Sequence, residues 1–228
     1  MLDHPYITLI LKYPDSFLPE LFLILAIGAG LVNYSFLDKP SRWLFRMLVL
    51  SLIISLIQLH DAAYRQNNTY LHNLNSLVEM CCFATAYRIE LKSRKNQGLI
   101  LAGLIMYVLV FLYDFSWTQL AGVTLGVQRL IMIFYALIYF HHILSRMQVQ
   151  NLLIHSMFWV SAGAIVHAAG TLFVFLFVKV TLGDLSSNGS YALYITIVRT
   201  FSAFFYIILL VSFWLRRREV KLTNQLTV

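Results

Sequence analysis

The chain has 228 residues, of which 60% are hydrophobic and 12% charged, and its mean hydropathy is +0.74. A soluble domain of this size would expose too much apolar surface to water, so the composition predicts an integral membrane protein. The net charge of +7 does not indicate a nucleic-acid-binding protein, because Lys and Arg lie mainly in short loops and near the C-terminus.

Seven apolar stretches are each close to the ~20 residues that a helix needs to cross the bilayer core. In chain order they are residues 16–37, 43–61, 70–91, 98–115, 119–144, 152–181 and 191–215. Pro40 is expected to end the first stretch, since Pro disfavours a helix at the preceding residue. Residues 1–15 form an N-terminal segment without the features of a cleavable signal peptide, and residues 216–228 form a basic tail. We therefore expect an all-α, seven-transmembrane-helix bundle that is a single domain of residues 1–228.

Lys and Arg are distributed unequally between the two sides of this predicted bundle. Twelve Lys and Arg residues lie in the tail and in the regions that join spans one and two, three and four, and five and six. The opposite side holds three. Lys and Arg concentrate in the cytoplasmic loops of membrane proteins. The sequence thus predicts an outside N-terminus and a cytoplasmic C-terminus.

Three predicted spans carry a charge near mid-membrane, where a charged side chain is costly and usually functional. At ~1.5 Å per residue, Glu79, Arg129 and Arg199 lie roughly 12–15 Å from the outer ends of spans three, five and seven. His167 lies near the middle of span six. Small or polar residues flank each of the four at helical spacing. We therefore expect Glu79, Arg129 and Arg199 to converge in one pocket in the outer half of the bundle.

This charged layer has three interpretations. It is a ligand pocket with a net charge of about +1, in which two guanidinium groups bind a carboxylate or phosphate; it is a structural ion pair; or it is a proton or ion relay. The candidate ligand-binding residues are Glu79, Arg129, Arg199, His167, Asn75, Gln58 and Tyr206.

Metal ligands are a weaker possibility. His60, Asp61 and His72 are the candidates, but no compact motif such as HExxH is present. The sequence also lacks a GxSxG or SxxK motif and a Gly-rich phosphate loop. We therefore expect no catalytic metal and no cofactor, and the balance of the sequence is against an enzyme.

The pattern Asn75-x-x-x-Glu79 and the stretch FWVSAGAIVHAAGTLFVFLF, residues 158–177, resemble the small seven-span proteins of Bacteroidota that are often encoded near sensor kinases. The resemblance implies a multi-pass protein of the bacterial inner membrane and carries no activity with it. Span seven has no lysine, unlike retinal proteins, and no His-x-x-x-His, unlike the ceramidase-type and adiponectin-receptor-type hydrolases.

Taken together, these features predict a membrane sensor or receptor-like module. It would bind a small anionic ligand in the outer-half pocket and signal to a separate cytoplasmic protein, with the lipid bilayer as its surroundings. An intramembrane metal-dependent hydrolase is the first alternative, and a metal site with three protein ligands would favour it. A small transporter is the second, and a continuous polar path to the cytoplasmic side would favour that.

Overall fold

The computed structural model describes residues 17–64, 66–146, 152–176 and 188–226, with backbone alone at 146, 188–194 and 223–226. This part of the chain contains seven α-helices, one 3₁₀ turn and no β-strand, which confirms the all-α prediction. The helices are α1 Leu18–Val32, α2 Lys39–Ala63, α3 Thr69–Glu90, α4 Arg94–Asp114, α5 Gly122–Arg146, α6 Ser156–Leu176 and α7 Asn188–Leu226, and the 3₁₀ turn Tyr34–Phe36 follows α1. The predicted N-terminal segment 1–15 and the last two residues of the predicted tail lie outside the described residues.

Five of these helices, α2 and α4 to α7, are long and apolar enough to cross a membrane. Helix α1 is apolar but has only 15 residues in its described form. Helix α3 has 22 residues, yet it does not reach the same hydropathy because polar side chains interrupt it along its length. The least apolar long helix is therefore the one that carries Glu79.

The helices form a closed ring in chain order. Each packs against the next, α1 packs against α7, and α3 also contacts α5 across the ring. We call one end of the bundle the Asp38 end, where Asp38 before α2 pairs with Arg216 of α7. The opposite end is the Trp117 end, where Asn67 before α3 bonds to the carbonyl of Trp117. The sequence predicts that the Asp38 end is cytoplasmic.

Buried tyrosines occupy the core between α3, α4 and α5, and their hydroxyl groups find partners, as buried tyrosines usually do. Tyr87 bonds to Ser161 of α6 at 2.8 Å, and Tyr107 bonds to Ser76 of α3 at 2.9 Å. Each bond joins two different helices. The tyrosines therefore fix helix positions with polar contacts as well as with apolar area.

Two glycines of α6 face α7 directly. A Cβ atom at Gly163 would lie 2.6 Å from Ile208 Cγ2, and one at Gly170 would lie 2.3 Å from the Phe201 ring. Small residues allow such close approach of helix backbones in membrane proteins. The small residues around His167 thus pack α6 tightly on α7.

Several helix ends differ from the predicted spans, and two of these differences have a clear physical cause. Helix α2 begins at Lys39 and includes Pro40, because Pro is well tolerated in the first turn, and Asp38 caps the helix by accepting a 3.1 Å bond from the Ser41 amide. Helix α7 does not stop at Arg216 but continues through the basic tail to Leu226. Arginine is a good helix former, so a run of it ends an apolar segment without ending the helix.

Candidate functional site

A small cavity lies where five helices meet, α2, α3, α5, α6 and α7. Its volume is about 30 Å³, which is room for roughly two water molecules. It is lined by Met47, Glu79, Phe83, Arg129, Met132, His167, Ser202, Phe205 and Tyr206. Four of the seven predicted ligand-binding residues, Glu79, Arg129, His167 and Tyr206, therefore surround one space.

Glu79 receives hydrogen bonds from two amide side chains. Asn75 Nδ2, one turn earlier on α3, donates to Glu79 Oε1 at 2.9 Å, and Gln128 Nε2 of α5 donates to Oε2 at 3.3 Å. Asn75 thus belongs to the site through Glu79, although it does not line the cavity. The two amides therefore hold the Glu79 carboxyl group in a fixed orientation.

Arg129 is the more deeply buried member of the charged pair. Its side chain is 7% exposed, against 22% for Glu79, and Nη1 lies 4.0 Å from Glu79 Oε2. Nη1 also lies 3.4 Å from Met132 Sδ, and the guanidinium sits 5.2 Å from the centre of the Phe175 ring. An Arg–carboxylate pair in direct contact has N–O distances of about 2.7–2.9 Å. This looser spacing leaves room for a water molecule or a small ion to interact with both groups.

Gln128 is a site residue that sequence reasoning missed. It is fully buried, and its Nε2 donates to the Ser76 carbonyl at 3.1 Å as well as to Glu79. A polar amide beside Arg129 within an apolar span was the available signal. Gln128 precedes Arg129 directly and so points about 100° away from it around the helix. Its approach to Glu79 depends on the packing of α5 against α3, which the sequence does not show.

His167 lines the cavity from α6. Its ring stacks on Phe205 of α7, with 5.1 Å between centroids and 15° between planes. Its Nδ1 atom is buried and has no hydrogen-bond partner among the described residues. Buried polar atoms are usually satisfied by protein or by water, so a water molecule in this cavity is the expected partner. The cavity therefore places a guanidinium, a carboxyl group and an imidazole around a space large enough for a small ion.

The structure does not bring Arg199 or Gln58 to the cavity. Arg199 does not line the cavity, although it precedes the cavity residue Ser202 by only three residues, about 4.5 Å along α7. It lies close enough to Glu20 of α1 to interact electrostatically with it. Gln58 lies nearer the Trp117 end, where its carbonyl accepts a bond from Asn68. The cavity therefore contains one arginine, and the expected three-charge pocket is reduced to a pair.

The three candidate metal ligands do not come together. His60 and His72 are exposed, whereas Asp61 is buried and accepts a 3.4 Å hydrogen bond from Tyr70. Within the described part of the chain, no group of three or more His, Cys, Asp or Glu residues is placed to hold a metal ion.

Comparison of the chain with protein-family models, with curated proteins and with solved structures finds no match. The resemblance to the Bacteroidota proteins therefore stays a prediction. What can be inferred about function depends on the chain's own residues.

Proposed function

We propose that this protein is a seven-span sensor or receptor-like module of a bacterial inner membrane. Its N-terminus would lie outside, and it would bind a small anion beside Arg129 and signal to a separate cytoplasmic protein. The observation that carries the proposal is the cavity itself. A buried guanidinium and a carboxylate stand 4.0 Å apart in a space bounded by five helices.

The size of the cavity restricts the ligand. Pockets for drug-sized molecules usually measure about 300–1,000 Å³, which is an order of magnitude more than the 30 Å³ found here. The ligand we propose is therefore an anion of one to a few heavy atoms, such as a halide or formate. Arg129 would supply the positive charge that such an anion needs in an apolar interior, and the anion would share that charge with the Glu79 carboxylate.

The position of the cavity between five helices supports a sensor function better than it supports simple storage of an ion. An ion held between five helices contacts several of them at once, so helix arrangements that differ in spacing at the cavity will differ in affinity for it. A ligand shifts a conformational equilibrium only through such a difference in affinity. The competing interpretation is a structural ion pair whose cavity holds water alone.

Anion-dependent stability separates these two interpretations. The full chain in nanodiscs of zwitterionic lipid would be unfolded thermally in chloride, bromide, formate or gluconate at constant ionic strength. A binding anion should raise the midpoint in proportion to the logarithm of its concentration once the site fills. Gluconate, which is too large for the cavity, should have no such effect.

Two variants locate the effect. Arg129→Gln should abolish the anion dependence, whereas Arg199→Gln, which removes a mid-span arginine outside the cavity, should retain it. Equal stability of the wild-type chain in all four salts would favour the structural ion pair. Anion dependence that survives in Arg129→Gln would place the binding site elsewhere.

A further inference from the structure

A second group of ionisable side chains lies at the Asp38 end of the bundle, away from the cavity. Its members come from five places in the chain: the turn before α2, the end of α3, the middle of α5, the residue before α6 and the last part of α7. They are Asp38, Glu90, Tyr139, His155, Arg216 and Glu219. The side chains of the five charged or imidazole-bearing members are all about one-fifth exposed.

Arg216 ties α7 to the start of α2. Its Nη2 lies 3.2 Å from Asp38 Oδ2, and its Nη1 lies 2.8 Å from Glu219 Oε2 on the next turn of α7. Asp38 is engaged a second time, since its Oδ1 caps α2. The last part of α7 is therefore held to the bundle by a charge pair that depends on the position of Arg216.

His155 stands between two carboxylates. Its Nε2 lies 3.9 Å from Glu90 Oε1 and 3.8 Å from Glu219 Oε1, while its Nδ1 shares a 3.1 Å hydrogen bond with the Tyr139 hydroxyl. The two carboxylate distances are too long for hydrogen bonds. This arrangement fits a neutral imidazole ring. Once the ring is protonated, both carboxylates would attract it.

We propose that His155, Glu90 and Glu219 form a proton-binding site that controls how the last part of α7 is held. Proton uptake on His155 makes both ring nitrogens donors, so Nε2–H attracts the Glu219 carboxylate. Glu219 then divides its charge between His155 and Arg216, which weakens its pair with Arg216. Because Glu219 lies on α7 and His155 lies at the start of α6, the attraction between them draws the end of α7 towards the start of α6 and changes its position relative to α5. This inference goes beyond anion binding and does not depend on it.

Burial sets the direction of the pH response of His155, and its charged neighbours modify the size of that response. The ionisable groups around it are Glu90 at the end of α3, Asp38 before α2, Tyr139 on α5, and Arg216 and Glu219 on α7, and Lys92 interacts with Glu90. Burial lowers the pKa of His155, Glu219 and Asp38 oppose that shift, and Arg216 reinforces it. A histidine with a lowered pKa in the folded state contributes stability that is present above its unfolded pKa. That stability is lost as the pH falls through the folded pKa.

The first test is thermal unfolding of the full chain in nanodiscs between about pH 7.5 and pH 5. The wild type should lose more stability on acidification than His155→Gln, by about 2–4 °C in the midpoint. His60→Gln, which removes an exposed histidine near the Trp117 end, is the matched control and should behave as the wild type does. Identical pH profiles for wild type and His155→Gln would overturn the proposal.

The second test needs no change at His155. Spin labels at Leu222→Cys on α7 and Leu144→Cys on α5, both exposed positions, would be placed in a chain with Cys81→Ala and Cys82→Ala. The distance between the labels should change on acidification and should become independent of pH when Glu219→Gln is added. An unchanged distance in the chain that retains His155 and Glu219 would also overturn the proposal, even if His155→Gln fails to fold.

Discussion

At the scale of single residues, Glu79 and Arg129 are an unequal pair. Glu79 has two amide donors besides the arginine, namely Asn75 and Gln128. Arg129 is the more buried of the two, and Glu79 is its acidic neighbour at ion-pair distance. Removal of one partner from a buried pair is costly chiefly because it leaves the other charge without compensation. The two possible deletions should therefore have different effects on stability.

Glu79→Ala should destabilise the protein more than Arg129→Ala. Loss of a buried partner typically costs about 3–5 kcal/mol, and the 4.0 Å spacing places Glu79→Ala near the lower limit. Arg129→Ala leaves a carboxylate that still accepts two hydrogen bonds, so its effect should be smaller. Reversible unfolding in mixed micelles measures both, and Glu79→Gln, which preserves size, should lie between wild type and Glu79→Ala. A larger loss in Arg129→Ala would mean that Arg129 has stronger compensation than Glu79 provides.

At the scale of helices, the close contact between α6 and α7 depends on the glycines of α6. Ile208 is β-branched, and β-branched side chains have essentially one χ1 rotamer in a helix. It therefore cannot rotate away from a new methyl group at Gly163, where Cβ would lie 3.0 Å from Ile208 Cβ. The helices themselves would have to separate. The same face of α6 carries the cavity residue His167 one turn further along.

Gly163→Ala should accordingly destabilise the protein by about 1–3 kcal/mol, the usual range for an overpacked contact. Gly28→Ala on α1 is the matched control, because a Cβ there meets nothing within 4 Å. That substitution should be neutral or stabilising by roughly 0.5–1 kcal/mol through helix propensity. Thermal midpoints measured side by side check the difference. Equal effects at the two positions would show that α6 and α7 are free to adjust.

At the scale of the whole molecule, the sequence predicted the positions of the helices along the chain better than it predicted which helices contact each other. Apolar runs predicted all seven helices that lie within the described residues. Residue counts predicted one level for Glu79, Arg129, Arg199 and His167, and three of these four line the cavity. The contact of α3 with α5, which brings Gln128 to Glu79, depends on packing across the ring and leaves no periodic signal. The same applies to the α1–α7 contact that gives Arg199 a neighbour in Glu20.

The cavity is lined by five helices, and the Asp38-end cluster is built from three of them and from the residues directly before the other two. Helix α3 supplies Glu79 to the cavity and Glu90 to the cluster, eleven residues or about 16 Å apart. Helix α7 supplies Tyr206 and Arg216, ten residues or about 15 Å apart. Each helix is continuous between its two residues. A shift of α3 relative to α7 at one site should therefore change the relative position of the two helices at the other site.

Coupling between two sites is reciprocal, so it can be tested from either end. If an anion in the cavity and a proton at His155 favour different positions of α7, acidification should change the anion concentration that gives half-maximal stabilisation. A coupling of about 5-fold or more would be typical of linked sites. The measurement repeats the anion titration at about pH 7.5 and pH 5.5 in wild type, His155→Gln and His60→Gln. The shift should vanish in His155→Gln alone. If it persists there, the anion and the proton act independently and α7 does not connect them.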